Sequence, residues 1–198
     1  WVSTCGETGL RKDDFAKHLR STPFVHGRLT FASLVFRIAA CGGEVSLPTE
    51  AQLNLLDEKM LDGVYFKHGR AKNDFFGIFF SPTPSFLPFS PTSPRNACRA
   101  LRSLYVEALH AGLTAELCPT TPLFGPTFGE EFTHHEVECD FEVMLKVGAS
   151  LSAADFDHYS IHSFRIFVAC ALMAAGVDRH TIKRLLRWRG DLSLEIYA

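Results

Sequence analysis

The chain has 198 residues, 46% of them hydrophobic, with 18 phenylalanines. That is enough apolar material for one compact domain, or a domain with a small appendage, and a sizeable core. The formal net charge of −2 argues against nucleic-acid binding by bulk charge, so any such role needs a localised basic face.

The six cysteines, at 5, 41, 98, 118, 139 and 170, are scattered and none forms a CxxC pair, which argues against a zinc ribbon. They read as reduced, mostly buried thiols of an intracellular protein. No apolar run reaches membrane-spanning length, so no membrane partner is expected. A chain that starts at Trp1 rather than Met reads as a fragment or excised domain.

Residues 1–28 read as a polar lead-in segment, with a short helix over Asp13 to Arg20 and punctuation at Pro23 and Gly27. Leu29 to Cys41 is strongly apolar and is predicted as a buried helix, stopped by Gly42-Gly43. Thr49 is placed to N-cap a second helix reaching about Leu56. Residues 63–68 and 74–80 are rich in aromatic and β-branched side chains and predict a β-hairpin around 69–73, or two strands of a small antiparallel sheet. The Pro/Ser-dense stretch 81–94 is incompatible with a helix interior or a central strand and reads as an extended connection with some packed Phe. A helix is predicted from Arg95 to about Ala111, capped by Gly112, followed by a loop over 118–132. Thr133 with Glu136 is a capping-box signature for a helix over 133–148. His134 and His135, with His158 and His162, tempt a metal reading, but their spacing matches no ligand motif and no metal is expected.

The last stretch, His162 to Tyr197, concentrates the side chains suited to chemistry. His162 and Arg165 are three apart and share one face of a helix that is apolar nearly all round and predicted to be buried. A buried arginine needs partners, because an unpaired buried cation is expensive. Gly176 is a natural cap for this helix, and Asp178 can N-cap a second one over Arg179 to about Arg187. Gly190-Asp191 breaks the chain before a short third helix carrying Tyr197. A tyrosine hydroxyl has a pKa of about 10 and is a poor nucleophile near neutral pH. It needs a cationic, hydrogen-bonding site that holds its electrophile in line. An arginine fork, a histidine and an indole N–H suit the non-bridging oxygens of a phosphodiester.

His162-Ser163-Phe164-Arg165, Trp188 and Tyr197 stand in the order and at the spacings of one family's C-terminal motifs. The stretch resembles the catalytic block of the tyrosine recombinases, or phage integrases, and looks most like the DIRS and crypton types of eukaryotic mobile elements. The resemblance covers about residues 29–198. It implies an α+β fold, a mainly helical tyrosine-recombinase catalytic fold with a small antiparallel β-sheet. It also implies a site-specific DNA recombinase working through a 3′-phosphotyrosyl intermediate. Tyr197 would be the nucleophile, with Arg165, His162 and Trp188 on the phosphate. Arg70-Ala71-Lys72 resembles the family's hairpin-turn lysine, which makes Lys72 the general acid. Such chemistry needs neither cofactor, ATP nor metal. Double-stranded DNA is the expected partner, with self-association on DNA, and the nucleus is the expected location in a eukaryote. Arg179, Lys183, Arg187 and Arg189 are candidates for DNA-backbone contacts.

One expected group is out of place. The family's first arginine lies in a Thr-Gly-x-Arg-x-x-Glu pattern after a buried helix and before the hairpin. The stretch matched to it is Ile38-Ala39-Ala40-Cys41-Gly42-Gly43-Glu44, with Cys41 where the arginine belongs. Either strand cleavage is weakened or lost, leaving a domesticated, inactive DNA-binding or interaction domain, or Arg37, four residues earlier, substitutes.

Overall fold

The computed structural model describes residues 1–21, 28–68, 84–188, 190 and 192–195. Lys72, Arg189, Tyr197 and the predicted strand at 74–80 lie outside them. The described chain is α+β, mainly helical with a small antiparallel sheet.

The chain opens with α1 (Val2–Thr8), which ends at Gly9 in the left-handed region, φ 62°. A 3-10 turn (Lys12–Asp14) follows where the sequence suggested a helix over 13–20, and then the short strand β1 (Ala16–Lys17). Leu34–Ile38 forms β2, not the predicted helix, and Gly43–Val45 forms β3. The run LVFRI lies at the centre of the sheet and is buried at four of its five positions, so it carries no helical period to read. Gly42 and Gly43 have φ of 84° and 132°. They turn the chain from β2 into β3 in a conformation that side chains disfavour, so the Gly-Gly pair is a hairpin device and not a helix stop.

Helix α2 (Glu50–Leu53) carries the predicted Thr49 cap, whose hydroxyl accepts from the Gln52 N–H, though it ends earlier than expected. Strand β4 (Gly63–Phe66) falls where the first of the two strands was predicted, and the turn and second strand at 69–80 lie outside the described residues. The described partner of β4 is β5 (Ser85–Pro88), giving the order β3-β2-β4-β5 with every neighbour antiparallel. Among the described strands β5 is an edge, which suits a strand ending in proline. The buried Asp62 carboxylate accepts from the Ala39 N–H at 2.9 Å and the Asp57 N–H at 3.1 Å, tying the sheet's turns together.

Helix α3 (Ala97–His110) lays Leu101, Tyr105 and Ala108 on the core, with Tyr105 edge-on to Phe31 and Phe36. The two-residue strand β6 (Phe132–Thr133) pairs in parallel with β1 and leads into α4 (His134–Val143), which has the predicted Thr133–Glu136 capping box. A π-helical turn (Met144–Gly148) extends α4. The tail gives α5 (His162–Ala174), α6 (Arg179–Leu186) and α7 (Leu192–Glu195). Asp178 caps α6 as expected, accepting from the Thr181 N–H. Helix α5 is less buried than its composition suggested. Arg165, Val168 and Ala169 are buried, while Phe167 is 61% exposed and His162 and Cys170 are also exposed.

One core cluster runs from Cys5, Leu10 and Phe15 through the sheet and α3 to Ile161. Residues 1–17, read as a lead-in, therefore belong to the same packed unit as the sheet, and α1 packs directly on α5. A smaller cluster of Val168, Ala169, Ile182, Leu186, Trp188 and Leu194 binds α5, α6 and α7 together. All six cysteines are free: Cys5, Cys98 and Cys118 are buried, Cys41 is half-buried, and Cys139 and Cys170 are exposed. No helix among the described residues is long and apolar enough to cross a membrane.

Candidate active site

The centre of the site is Arg165, only 1% exposed on the inner face of α5. Its Nη1 donates to the Gly9 carbonyl at 2.6 Å, and its Nη2 donates to the Leu186 carbonyl. Its guanidinium lies 5.6 Å from the Trp188 ring centroid, within cation–π range. The partners demanded by burial are thus two backbone oxygens and an indole face. A guanidinium has five N–H donors, and of these the buried Nε has no hydrogen-bond partner. Burial first, then the nearby Arg11 and Arg187 cations, push Arg165 down to about 9, with Asp14 opposing. It stays protonated at neutral pH.

Gly9 is needed for this contact. A Cβ there would come within 2.6 Å of the Leu186 side chain, and the backbone is left-handed, so only glycine lets α1 end against Arg165. The next residues build the rest of the site. Asp14 accepts from the Arg11 backbone N–H at 2.8 Å and from Arg187 Nη2 at 2.6 Å. Arg11 Nη2 reaches the Arg187 carbonyl at 3.4 Å. Arg187 caps α6 in a left-handed conformation, φ 55°, which costs about 1–2 kcal/mol for a residue with a Cβ. The buried pair with Asp14 holds it there.

Three guanidiniums, Arg11, Arg165 and Arg187, therefore lie close together with Asp14 among them, and the cleft that Arg11 and Arg165 line also carries Lys12, Asp13, Glu138, Glu142 and Asp157. Arg11, His162 and Arg165 line one cleft of about 610 Å³. His162 begins α5 one turn ahead of Arg165. Burial first, then the Arg165 and Arg11 cations, hold its imidazole below its ordinary pKa, which favours the neutral ring at pH 7.

This geometry corrects three expectations. Ile38–Glu44 is strand, turn and strand, not the end of a helix, and Cys41 does not line the cleft. Arg37 does not line the cleft; it lies over the Phe86 ring at 6.0 Å on the sheet. Arg187 is not on an exposed DNA-facing surface but buried against Asp14, while Arg179 is exposed. The arginine that lines the cleft beside His162 and Arg165 is Arg11. It stands in Thr8-Gly9-Leu10-Arg11-Lys12-Asp13-Asp14, directly after the helix α1. The stretch carries Thr-Gly-x-Arg with Asp14 three residues further on, inside the segment read as a lead-in.

His68, at the end of β4, was also missed. Its Nε2 lies 2.8 Å from the Ser85 hydroxyl, and Nδ1 is buried without a hydrogen-bond partner. Burial, then the Arg187 and Arg165 cations against an opposing Asp14, push it down to about 4. Between pH 4 and the unfolded value near 6.5 the unfolded chain binds the extra proton. Stability from His68 is therefore complete above about pH 6.5 and lost as the pH falls through 4, on the order of 3 kcal/mol in all. Urea midpoints measured from pH 4 to 7 are expected to rise with pH in the native chain, and less steeply in His68→Gln. An equal slope in both would remove His68 as the cause. His162, shifted in the same direction, accounts for part of the remaining slope.

No protein-family model, curated protein or solved structure matches the chain.

Proposed function

We propose that this chain is the catalytic domain of a DNA-breaking and -rejoining enzyme of the tyrosine recombinase type. The observation that carries the reading is the convergence of Arg11, His162 and Arg165 on one cleft, with Trp188 stacked beside Arg165. Two arginines from opposite ends of the chain supply donors to the non-bridging oxygens of a scissile phosphate and stabilise its trigonal-bipyramidal transition state. Neutral His162 adds a hydrogen bond to the same group. Tyr197 is the nucleophile: its oxygen bonds to phosphorus, the bond to the 5′ oxygen breaks, and a 3′-phosphotyrosyl link remains. Lys72 gives its proton to the leaving 5′ oxygen. The bond energy stays in the protein link, so rejoining is the reverse of the same step. Exposed Arg179 and the half-buried Lys183 of α6 are the candidates for flanking backbone contacts. The partners on this reading are double-stranded DNA and further copies of the chain assembled on it. The inactive-domain reading draws its support from Cys41; on the reading proposed here Arg11 supplies the first arginine instead.

The test is covalent trapping on end-labelled duplex DNA carrying a nick that lets the cleaved fragment leave. The expected result is a denaturation-resistant protein–DNA adduct that vanishes in Tyr197→Phe and persists in Tyr159→Phe, the cleft-lining tyrosine that serves as control. An adduct that survives Tyr197→Phe, or no adduct with any duplex from the parent element, would overturn the proposal.

A further inference from the structure

A second polar cluster lies beside the arginine site. Strands β1 and β6 pair with Lys17 opposite Thr133, so the next residues on each, His18 and His134, emerge side by side. Their ring centroids are 4.1 Å apart. Asp13, from the 3-10 turn before β1, completes the group: its Oδ1 is 3.1 Å from His134 Nε2 and 4.0 Å from His18 Nε2. One donor atom from each of the three residues lies within 4.8 Å of the others.

His134 is the informative member. Its side chain is 13% exposed, and its Nε2 is buried and makes no hydrogen bond even at that distance from Asp13. The ring also hydrogen-bonds the Ala16 backbone, which holds its orientation. Lys12 is paired with Glu138 on α4.

We infer that Asp13, His18 and His134 form a binding site for a divalent transition metal, with zinc as the best chemical fit. Two imidazoles and one carboxylate are borderline-soft ligands that suit Zn²⁺, and a water completes a tetrahedron. Ligand atoms around tetrahedral zinc stand about 3.3 Å apart, given bonds of about 2.0 Å. His18 is 75% exposed on its side chain and Asp13 is 46% exposed, so rotation of these two closes the present spacing. No local motif announces the site, because its ligands come from a turn, one strand end and a distant helix start. The metal would clamp the turn bearing Arg11 and Asp14 to the first turn of α4. It would thus position the arginine cluster without touching substrate, and it stands whether or not the chain cleaves DNA.

The test is calorimetric titration of ZnCl₂ into the chelator-stripped full chain, paired with thermal melts in Zn²⁺ and in EDTA. The expected result is one Zn²⁺ per chain and a melting temperature raised by Zn²⁺. His18→Ala, at an exposed position that the fold does not need, is expected to weaken binding at least about tenfold and remove the melting shift. Asp13→Asn is expected to do likewise. Cys139→Ser, which breaks the exposed Cys139–His135 pair on α4, is expected to bind as the native chain does. Absence of a saturable stoichiometric site would overturn the inference, and so would binding that survives His18→Ala and Asp13→Asn but is lost in Cys139→Ser.

Discussion

Arg11→Ala is expected to reduce formation of the covalent DNA adduct by about 10²–10³-fold, the usual consequence of removing one charge-stabilising donor from a transition state. The prediction rests on placement. Arg11 lines the same cleft as His162 and Arg165, and its backbone is fixed by the Asp14 carboxylate. Burial first, with Asp14 opposing and Arg187 adding to it, lowers its pKa without bringing it near neutrality as a chemical matter, since guanidinium stays charged in proteins. Arg11→Lys is expected to recover only part of the loss, because an ammonium cannot present two parallel donors to a phosphate. The companion expectation concerns the sheet: Cys41→Arg and Arg37→Ala should each leave adduct formation within about a factor of three of the native chain, since remote side chains act weakly on the transition state. A large gain from Cys41→Arg, with Arg11→Ala unaffected, would return the first arginine to the β2–β3 turn and dismantle the site described above. Adduct yields read on denaturing gels distinguish these outcomes, and a melting curve for each variant separates lost chemistry from lost folding.

Arg187→Ala is expected to lower stability by about 3–5 kcal/mol, because it leaves the Asp14 carboxylate buried without its cation. Both side chains are largely hidden, 7% and 6% exposed, and they meet at 2.6 Å. For a chain of this size that loss corresponds to a fall in melting temperature of roughly 10 °C. The same variant tests what the pair is for. Replacing both members by apolar residues of similar volume, Asp14→Leu with Arg187→Met, removes the unpaired charge and is expected to restore much of the stability. It is not expected to restore DNA cleavage, because Asp14 also holds the Arg11 backbone and the Arg187 carbonyl receives the Arg11 side chain. Chemical denaturation of the single and double variants supplies the coupling energy. A double variant no more stable than Arg187→Ala would show that packing around these residues, and not charge compensation, sets the loss.

The helices of the second half were legible because their signals are local. Thr133 and Asp178 each accept a hydrogen bond from an N–H three residues on, so residue type and spacing alone announce the start. The His162-x-x-Arg165 face, Trp188 and the α5–α6 turn were readable for the same reason: helical geometry converts a spacing of three into adjacency. The sheet was not legible at Leu34–Ile38, because a strand buried on both faces shows neither a period of two nor one of 3.6. Its identity depends on β3 and β4, which reach it only through long-range pairing.

The amino-acid order by itself thus determined the helix starts at Thr133 and Asp178 and the placement of His162 and Arg165 one turn apart on α5. Only the folded chain decided which arginine joins His162 and Arg165 on one cleft. Arg11 stands beside Arg165 because Gly9 lets α1 stop against α5, a contact spanning 156 positions. The histidine pair at His18 and His134 exists for a like reason, the β1–β6 register. Contacts of that length are chosen by the packing of the whole core, where many weak apolar contacts sum to select one arrangement, and no window of neighbouring residues contains that sum.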